Sequence, residues 1–307
     1  MEVIVGKLAG FCFGVQNAVD CAEKELDLNN NIYCLGEIVH NEQVIKNLEK
    51  KGMITVNNID EVPDDSKVIF RAHGESQIIY EKAKQKHLEV IDLTCPKVKA
   101  IHMKVEREKD KSFIIIVGKK SHPEIIGTKG FAGENSFVIE NEDEILDAYM
   151  EYEKTNLGRV YVVSQTTFSS SKFDKLSEEI QLNFCEADVI IDKTICNATE
   201  NRQIETKEIS KKVNKMIIIG GKHSSNTKEL AKVSEENCGN VLLVQNVDDL
   251  QYKEIFNKSK IEVMTGGVQI IPDLKKELID ENYKIGIMAG ASTPKQSIDE
   301  IIDFLKK

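Results

Sequence analysis

The chain has 307 residues and a formal net charge of −10, from 41 Lys and Arg residues against 51 Asp and Glu residues. With 41% hydrophobic and 30% charged residues, this composition is typical of a globular protein with about two domains, or three small ones. The acidic charge, the absence of Trp and the 6% aromatic content exclude non-specific nucleic-acid binding as the expected function.

The sequence gives no sign of membrane insertion or secretion. Its apolar runs are too short for a transmembrane helix, and the N-terminal segment MEVIVGKLAGFCFGV is too interrupted by Gly and Lys for a signal peptide. Seven scattered cysteines, an odd number, do not suggest a disulfide framework. We therefore expect a reducing, cytoplasmic compartment, where conspicuous cysteines more often bind metal or act in catalysis.

Short apolar runs alternate with helical stretches along the chain. Continuous apolar strands between amphipathic helices are typical of parallel sheets in α/β proteins. The runs that predict buried strands are residues 68–70, 113–117, 160–163, 189–191, 216–219, 241–244 and 284–288. The largest insertion is the charged segment 247–283, in which Gly266-Gly267 predicts a turn.

Three cysteines, Cys12, Cys95 and Cys196, each precede a predicted helix. An apolar stripe at helical spacing follows Cys12 and Cys95, whereas after Cys196 only Ile204 and Ile209 form such a stripe. This similarity indicates an internal repeat of one supersecondary unit.

Two further groups of residues repeat after each cysteine. In the first group, a predicted strand is followed by a glycine, and a polar residue stands four residues after that glycine. In the three units in turn, the polar residue is 28, 27 and 28 residues after the cysteine. Another polar position ends an apolar strand at 61, 71 and 96 residues from the cysteine. These positions are Gly36 with His40, Gly118 with His122, Gly220 with Ser224, and then His73, Thr166 and Ser292.

The repeat predicts an α/β protein of three units related by a pseudo-threefold axis, with parallel-rich sheets around a central cofactor cavity. The predicted units are residues 13–95, 96–192 and 193–307, with residues 1–12 adding a strand to the last unit. Loops at the carboxyl ends of parallel strands collect at the ligand site, so we expect the three cysteines to meet at one centre.

Three thiolates leave two kinds of metal site open. Zinc with three cysteines and one other ligand is possible, but the chain lacks the close cysteine pairs typical of structural zinc. An iron–sulfur cluster normally takes four thiolates, so three would leave one iron open to substrate. An open metal position indicates catalysis more than a structural role.

The polar groups of the repeat fit a phosphorylated ligand. Helices are predicted to begin at His40-Asn41 and at Ser224-Ser225-Asn226, where backbone N–H groups and the helix dipole favour an anion. Imidazoles near such an anion gain positive charge.

Glu124 is the one carboxyl group among these polar residues. A carboxyl placed among anions is driven towards its protonated form, which makes Glu124 a candidate general acid. The alternative is a first-turn residue favoured only by the helix dipole. Of the adjacent Thr166 and Thr167 we choose Thr166, because neighbouring strand residues face opposite ways.

The motifs, taken together and in order, resemble the LytB family of 4-hydroxy-3-methylbut-2-enyl diphosphate reductases of the non-mevalonate isoprenoid pathway. The resemblance runs from about residue 1 to 305 but does not cover the segment 247–283, which is longer and more divergent than the family pattern. The motifs are Gly10-Phe11-Cys12-Phe13-Gly14-Val15, Val39-His40-Asn41, Ala72-His73-Gly74, Thr94-Cys95-Pro96, Ser121-His122-Pro123-Glu124, Gln165-Thr166-Thr167, Cys196-Asn197-Ala198-Thr199-Glu200-Asn201-Arg202-Gln203, Ser224-Ser225-Asn226 and Gly290-Ala291-Ser292.

This resemblance implies a [4Fe–4S] cluster on three cysteines, with the substrate hydroxyl at the fourth iron. It implies reductive removal of that hydroxyl from (E)-4-hydroxy-3-methylbut-2-enyl diphosphate, using two electrons and protons and giving isopentenyl and dimethylallyl diphosphates. A ferredoxin or flavodoxin would supply the electrons through a basic patch that the sequence does not locate. The implied cluster ligands are Cys12, Cys95 and Cys196, the implied catalytic residues are Glu124, Thr166 and His122, and the implied substrate-binding residues are His40, His73, His122, Thr166, Ser224, Ser225, Asn226 and Ser292.

Two other functions use part of the same residues. A metal sensor would hold a metal on the same cysteines without turnover, but it would need neither a proton donor nor phosphate-binding positions. A diphosphate hydrolase would need acidic Mg²⁺ ligands, and the predicted site offers only Glu124.

Other cysteines and histidines are expected to lie outside the site. We expect His87 and His102, in Lys-rich helical stretches, to be solvated, and His223 to be outside the predicted contacts. The cysteines expected to be structural and buried are Cys21, Cys34, Cys185 and Cys238.

Overall fold

The computed structural model of the chain describes residues 2–29, 31–251 and 282–306. In these residues twelve strands form three four-stranded sheets, and every neighbouring pair of strands is parallel. The predicted α/β fold with parallel sheets is confirmed. The turn predicted at Gly266-Gly267 lies outside the described residues. No described helix combines the length and the apolar character needed to cross a membrane.

The strands are short, and each of the seven predicted runs falls on one of them. The strands are β1 (Glu2–Val5), β2 (Ile32–Leu35), β3 (Met53–Val56), β4 (Lys67–Phe70), β5 (Glu89–Asp92), β6 (Phe113–Val117), β7 (Ser136–Ile139), β8 (Arg159–Ser164), β9 (Asp188–Ile191), β10 (Lys215–Ile219), β11 (Val241–Val244) and β12 (Lys284–Ala289).

Helices connect the strands, as parallel pairing requires. They are α1 (Phe13–Leu28), α2 (Glu42–Lys50), α3 (Gln77–Gln85), α4 (Pro96–Glu108), α5 (Pro123–Ala132), α6 (Ile145–Tyr152), α7 (Ser170–Asn183), α8 (Asn197–Ser210), α9 (Ser225–Cys238), α10 (Val247–Gln251) and, as the last described helix, α11 (Lys295–Lys306).

The chain divides into two compact units that interleave along the sequence. Unit 1 contains Met1–Phe13, His40–Val44 and Asn197–Lys307, and unit 2 contains Gly14–Val39 and Ile45–Cys196. The three-segment boundaries drawn from the repeat remain a prediction.

Unit 2 contains two sheets, with strand orders β3-β2-β4-β5 and β7-β6-β8-β9. All five residues of β6 are buried because helices cover both faces of its sheet. Ile114 and Ile116 pack with Val105 of α4 on one face, whereas Ile115 packs with Phe173 of α7 on the other. Full burial of each such side chain stabilises the fold by about 1.5–3 kcal/mol.

Unit 1 contains the third sheet, with strand order β1-β12-β10-β11. Here α8 buries a largely polar face, which explains the weak apolar stripe after Cys196. Ile209 is buried, but Ile204 is 53% exposed, so the two residues do not form one buried stripe. In its place the guanidinium of Arg202 is buried and donates hydrogen bonds of 2.8 Å to the carbonyls of Gly10 and Ala198.

Candidate functional site

The three repeated cysteines share one backbone arrangement. Cys12, Cys95 and Cys196 stand immediately before α1, α4 and α8, and none of them is in a disulfide. The N–H of Cys12 donates to the Ala291 carbonyl (3.1 Å) in unit 1. In unit 2 the N–H of Cys95 donates to the Ala72 carbonyl and the N–H of Cys196 to the Thr166 carbonyl, both at 3.0 Å. Each cysteine is therefore fixed to the strand end that carries the third group of the repeat.

The position of each cysteine favours a negatively charged sulfur ligand. A helix start presents unpaired N–H groups and the positive end of the helix dipole. All three side chains are partly exposed, which leaves the sulfurs accessible. In unit 2, Gly14 packs directly against the sulfur of Cys95: a Cβ at position 14 would lie 2.6 Å from the Cys95 Sγ.

Glu124 and Thr166 form a buried pair in unit 2. Glu124 lies in the first turn of α5 and is 2% exposed. Its Oε1 accepts the Thr166 N–H at 2.5 Å, and its Oε2 accepts the Thr166 Oγ1–H at 2.7 Å. Burial raises the pKa of the Glu124 carboxyl from 4.5 to about 7, although both hydrogen bonds from Thr166 act to lower it. Near neutral pH, Glu124 therefore has both a protonated and an ionised form, and it can release and take up a proton there.

His122 caps the helix that carries Glu124. Its Nδ1 accepts the Glu124 N–H at 3.2 Å, so the neutral ring carries its proton on Nε2. The ring of His73 lies edge-on to that of His122, with 5.5 Å between the ring centres. Two imidazoles are thus placed beside the buried acid.

A continuous series of contacts joins the cysteines of unit 2. It begins with the bond from Cys95 to Ala72, continues through the neighbouring His73 to His122, and passes along the backbone bond to Glu124. From Glu124 it reaches Thr166, whose carbonyl accepts the N–H of Cys196. Unit 2 therefore brings together two predicted metal ligands and four predicted polar residues. The one other residue in the series, Ala72, contributes only its backbone carbonyl.

Unit 1 brings the other predicted residues together around His40. The Ser292 Oγ–H donates to the His40 carbonyl at 3.1 Å. A Cβ at Gly221 would lie 2.3 Å from that same carbonyl oxygen, so only glycine allows the approach. The next residue, Asn41, caps α2 with its Oδ1, which accepts the N–H groups of Gln43 and Val44 at 3.1 and 3.2 Å.

The start of α9 also lies in unit 1. Ser224 is its N-cap, and the Ser224 Oγ accepts the Thr227 N–H at 3.2 Å. Asn226 is 3% exposed, and its Oδ1 accepts the Ala291 N–H at 3.0 Å. Among the described residues the Nδ2 of Asn226 is buried without a hydrogen-bond partner, a costly state that a bound acceptor would relieve. Ser225 follows the cap as the first residue of the helix.

Several residues outside the predicted set support the site. Asp92 is the last residue of β5, and Asp192 directly follows β9; these strands lead to Cys95 and Cys196, and both carboxylates accept hydrogen bonds from lysines of α4. The carboxylates precede their cysteines by three and four residues. This repeated spacing was a signal in the sequence that could have identified them. Arg202 lies in a quoted motif, but its bond to Gly10 depends on the fold.

Three expectations outside the site can also be compared with the structure. His87 and His223 are exposed as expected, whereas His102 is only 3% exposed and stacks on Phe131 with 4.5 Å between ring centres. Burial lowers the pKa of His102 to about 4, so the ring is neutral. The expectation of a solvated His102 was wrong because the lysines around it occupy the opposite side of α4.

The four remaining cysteines differ in burial. Cys34 is fully buried, and burial raises the pKa of its thiol to about 12, which fits a structural role. Cys185 is exposed, so the expectation that it is buried was wrong. Cys21 and Cys238 are partly exposed.

The fold and the site define a class: an α/β protein of parallel sheets that presents cysteines and anion-binding groups at the starts of its helices. The sequence pattern of one family, described as "LytB protein", matches residues 3–306. The chain belongs to the LytB family, and the family predicted from the motifs is confirmed.

Similar proteins and a similar solved structure agree with this assignment. The chain is 38% identical over 313 residues to the 4-hydroxy-3-methylbut-2-enyl diphosphate reductase of Clostridioides difficile, covering 100% of this chain and 99% of that protein. It is 36% identical over 311 residues to the reductase of the same name from Thermoanaerobacter sp. strain X514, covering 100% and 97%. A solved structure of the E-1-hydroxy-2-methyl-but-2-enyl-4-diphosphate reductase from Plasmodium falciparum matches with a TM-score of 0.83 and 30% identity, over 100% of this chain and 88% of that chain.

Proposed function

We propose that this protein is a 4-hydroxy-3-methylbut-2-enyl diphosphate reductase that uses an iron–sulfur cluster. The observation that carries the proposal is the series His122–Glu124–Thr166–Cys196 in unit 2, which links a buried carboxyl of raised pKa to a cysteine at a helix start. A metal-binding protein without turnover has no need of such a proton donor. Membership of the LytB family and the relatives' names support the same activity.

The donor set fits a [4Fe–4S] cluster held by Cys12, Cys95 and Cys196. Each of these residues presents a sulfur at the positive end of a helix, and each has its own N–H already bonded to a strand-end carbonyl. Three protein ligands leave one iron open, and the bound cluster would supply electrons and Lewis acidity there.

The substrate's diphosphate would bind to the neutral donors of the site. Asn226 contributes a buried Nδ2–H₂ that has no partner within the described protein, and Ser224 and Ser225 stand at the start of α9 where an anion is favoured. The remaining proposed diphosphate ligands are His40, His73, His122 and Ser292.

Glu124 would deliver the proton that the departing hydroxyl needs. The reaction breaks one C–O bond, consumes two electrons and two protons, and releases water with isopentenyl or dimethylallyl diphosphate. Because burial raises its pKa to about 7, about half of the Glu124 carboxyl groups are protonated at pH 7 and can donate. Thr166 holds both carboxyl oxygens and so fixes the direction in which the proton leaves.

The two electrons must come from outside the substrate, and we propose a small acidic redox protein, a ferredoxin or a flavodoxin, as their source. A carrier of this kind delivers electrons singly, and the cluster would accept them one at a time.

The test begins with anaerobically purified protein. We expect about four iron and about four sulfide ions per chain, and conversion of (E)-4-hydroxy-3-methylbut-2-enyl diphosphate to five-carbon diphosphates with reduced methyl viologen. Zinc without sulfide would refute the redox mechanism. An intact cluster without turnover would favour the sensor, and release of inorganic phosphate without reductant would favour a hydrolase.

A further inference from the structure

One side of α4 is basic and exposed, on a chain whose net charge is −10. At 100° per residue, Lys97, Lys99, Met103, Lys104 and Arg107 fall on one side of the helix. The opposite side is buried and carries Val98, Ile101, His102, Val105 and Glu108. We call the five exposed or half-exposed residues the α4 basic face. Glu106 lies at its edge and accepts a hydrogen bond from Gln77.

Neither of the other two helices that follow a repeated cysteine has this charge. Helix α4 carries four basic and two acidic side chains, whereas α1 carries one basic and four acidic, and α8 two basic and three acidic. The excess of positive charge therefore belongs to α4 and is not a general property of the repeat.

The α4 basic face is tied to the loops of both cysteines in unit 2. Lys99 Nζ lies 2.8 Å from Asp92, at the end of the strand leading to Cys95. Lys104 Nζ lies 2.7 Å from Asp192, directly after the strand leading to Cys196. These two ion pairs place the face beside two of the three proposed cluster ligands.

The other residues of the face are turned to solvent. Met103 is 67% exposed, and the Arg107 side chain is 68% exposed, with its Nε 3.5 Å from Glu108. Lys97 is exposed two residues after Cys95. The α4 basic face thus has a flexible apolar side chain surrounded by Lys and Arg. Transient protein interfaces have a similar composition, with an adaptable centre and a charged rim.

We propose that the α4 basic face is the docking surface for a small acidic one-electron carrier. The proposal rests on the proposed function, which needs two electrons delivered singly and close to the cluster ligands. Charge complementarity selects an acidic partner, because Lys97 and Arg107 present positive charge at exposed positions of an otherwise acidic protein. Lys99 and Lys104 are already paired with Asp92 and Asp192. Docking of this kind raises the association rate at low ionic strength by about 10- to 1,000-fold.

The experiment measures how fast a reduced acidic ferredoxin reduces the oxidised holoenzyme in stopped flow. In Lys97→Glu/Arg107→Glu we expect the second-order rate constant to fall about tenfold or more at low salt, with most of the difference lost at about 0.5 M NaCl. Reduced methyl viologen should reduce wild type and variant equally, because it needs no docking surface. Arg107→Glu alone, twelve residues from Cys95, should show part of the loss with an unchanged cluster.

The matched control is Lys154→Glu/Lys172→Glu, which makes the same charge change at exposed positions of unit 2. Equal rate constants for the α4 variant and this control would overturn the proposal, as would a loss that persists at high salt. A failure of the proposed function gives a different result, since wild type would then not convert the substrate even with methyl viologen.

Discussion

Replacing Glu124 by Gln should remove a pH dependence from the stability of the protein between about pH 4.5 and 7. Gln can keep both contacts: its Oε1 accepts the Thr166 N–H, and its amide donates to the Thr166 Oγ1. In wild type the folded carboxyl has a pKa of about 7 against 4.5 for the ordinary group. The folded state therefore binds the proton more tightly than the unfolded state. Its stabilising contribution is complete below pH 4.5 and is lost as the pH rises through 7.

The size of this effect follows from the two pKa values. The difference between 4.5 and about 7 corresponds to about 3 kcal/mol of unfolding free energy at 1.36 kcal/mol per pKa unit. For a chain of this size, that is about 5 °C in the thermal midpoint. The variant lacks the titrating group. The thermal midpoint of the variant minus that of wild type should therefore increase by about this amount from pH 5 to pH 8.

The assay is the difference in thermal midpoint between anaerobic wild type and Glu124→Gln across that pH range. Glu134→Gln, at an exposed position of the same unit, controls for the loss of one negative charge. Turnover with reduced methyl viologen should fall about 100- to 10,000-fold in Glu124→Gln, with iron and sulfide unchanged. A midpoint difference that does not vary with pH would refute the burial argument. Wild-type turnover in the variant would refute the assignment of the acid.

Three further substitutions test separate parts of the site. Gly14→Ala should lower the iron and sulfide content, since its Cβ would lie 2.6 Å from the Cys95 sulfur; Gly158→Ala, with open space around it, should not. Asn226→Asp replaces an unpartnered donor by a negative charge and should raise the KM for the diphosphate substrate at least tenfold, measured by initial rates. Arg202→Met leaves two backbone carbonyls without their donors and should cost about 2 kcal/mol, seen as a lower thermal midpoint at unchanged pH.

The sequence was most informative where one physical cause dominates. Long apolar runs such as residues 113–117 predicted buried strands because parallel sheets are covered on both faces. The strands β3, β5 and β7 were not predicted, although β4, β9 and β11 are equally short and were. The spacing of glycines and polar residues indicated which positions belong to the site, and it did so without any knowledge of their contacts.

The contacts themselves depend on tertiary structure. Nothing in the sequence places the Thr166 N–H on the Glu124 carboxyl, because the two residues are 42 positions apart. The solvated interpretation of His102 failed for a similar reason. The charged neighbours of His102 follow the exposed side of α4, while its own ring meets Phe131 on the buried side. Local composition describes a helix as a whole, and packing decides which of its sides is covered.

Thr166 uses both ends of its backbone, donating its N–H to Glu124 and accepting the Cys196 N–H on its carbonyl. The proposed acid and the proposed metal ligand are therefore spaced by two planar peptide groups around a single α-carbon. Bond lengths, the φ and ψ angles of Thr166 and two hydrogen bonds together set this spacing. A substitution that shifts the Thr166 backbone would therefore displace the acid and the cysteine together, whereas loss of one hydrogen bond would release only one of them.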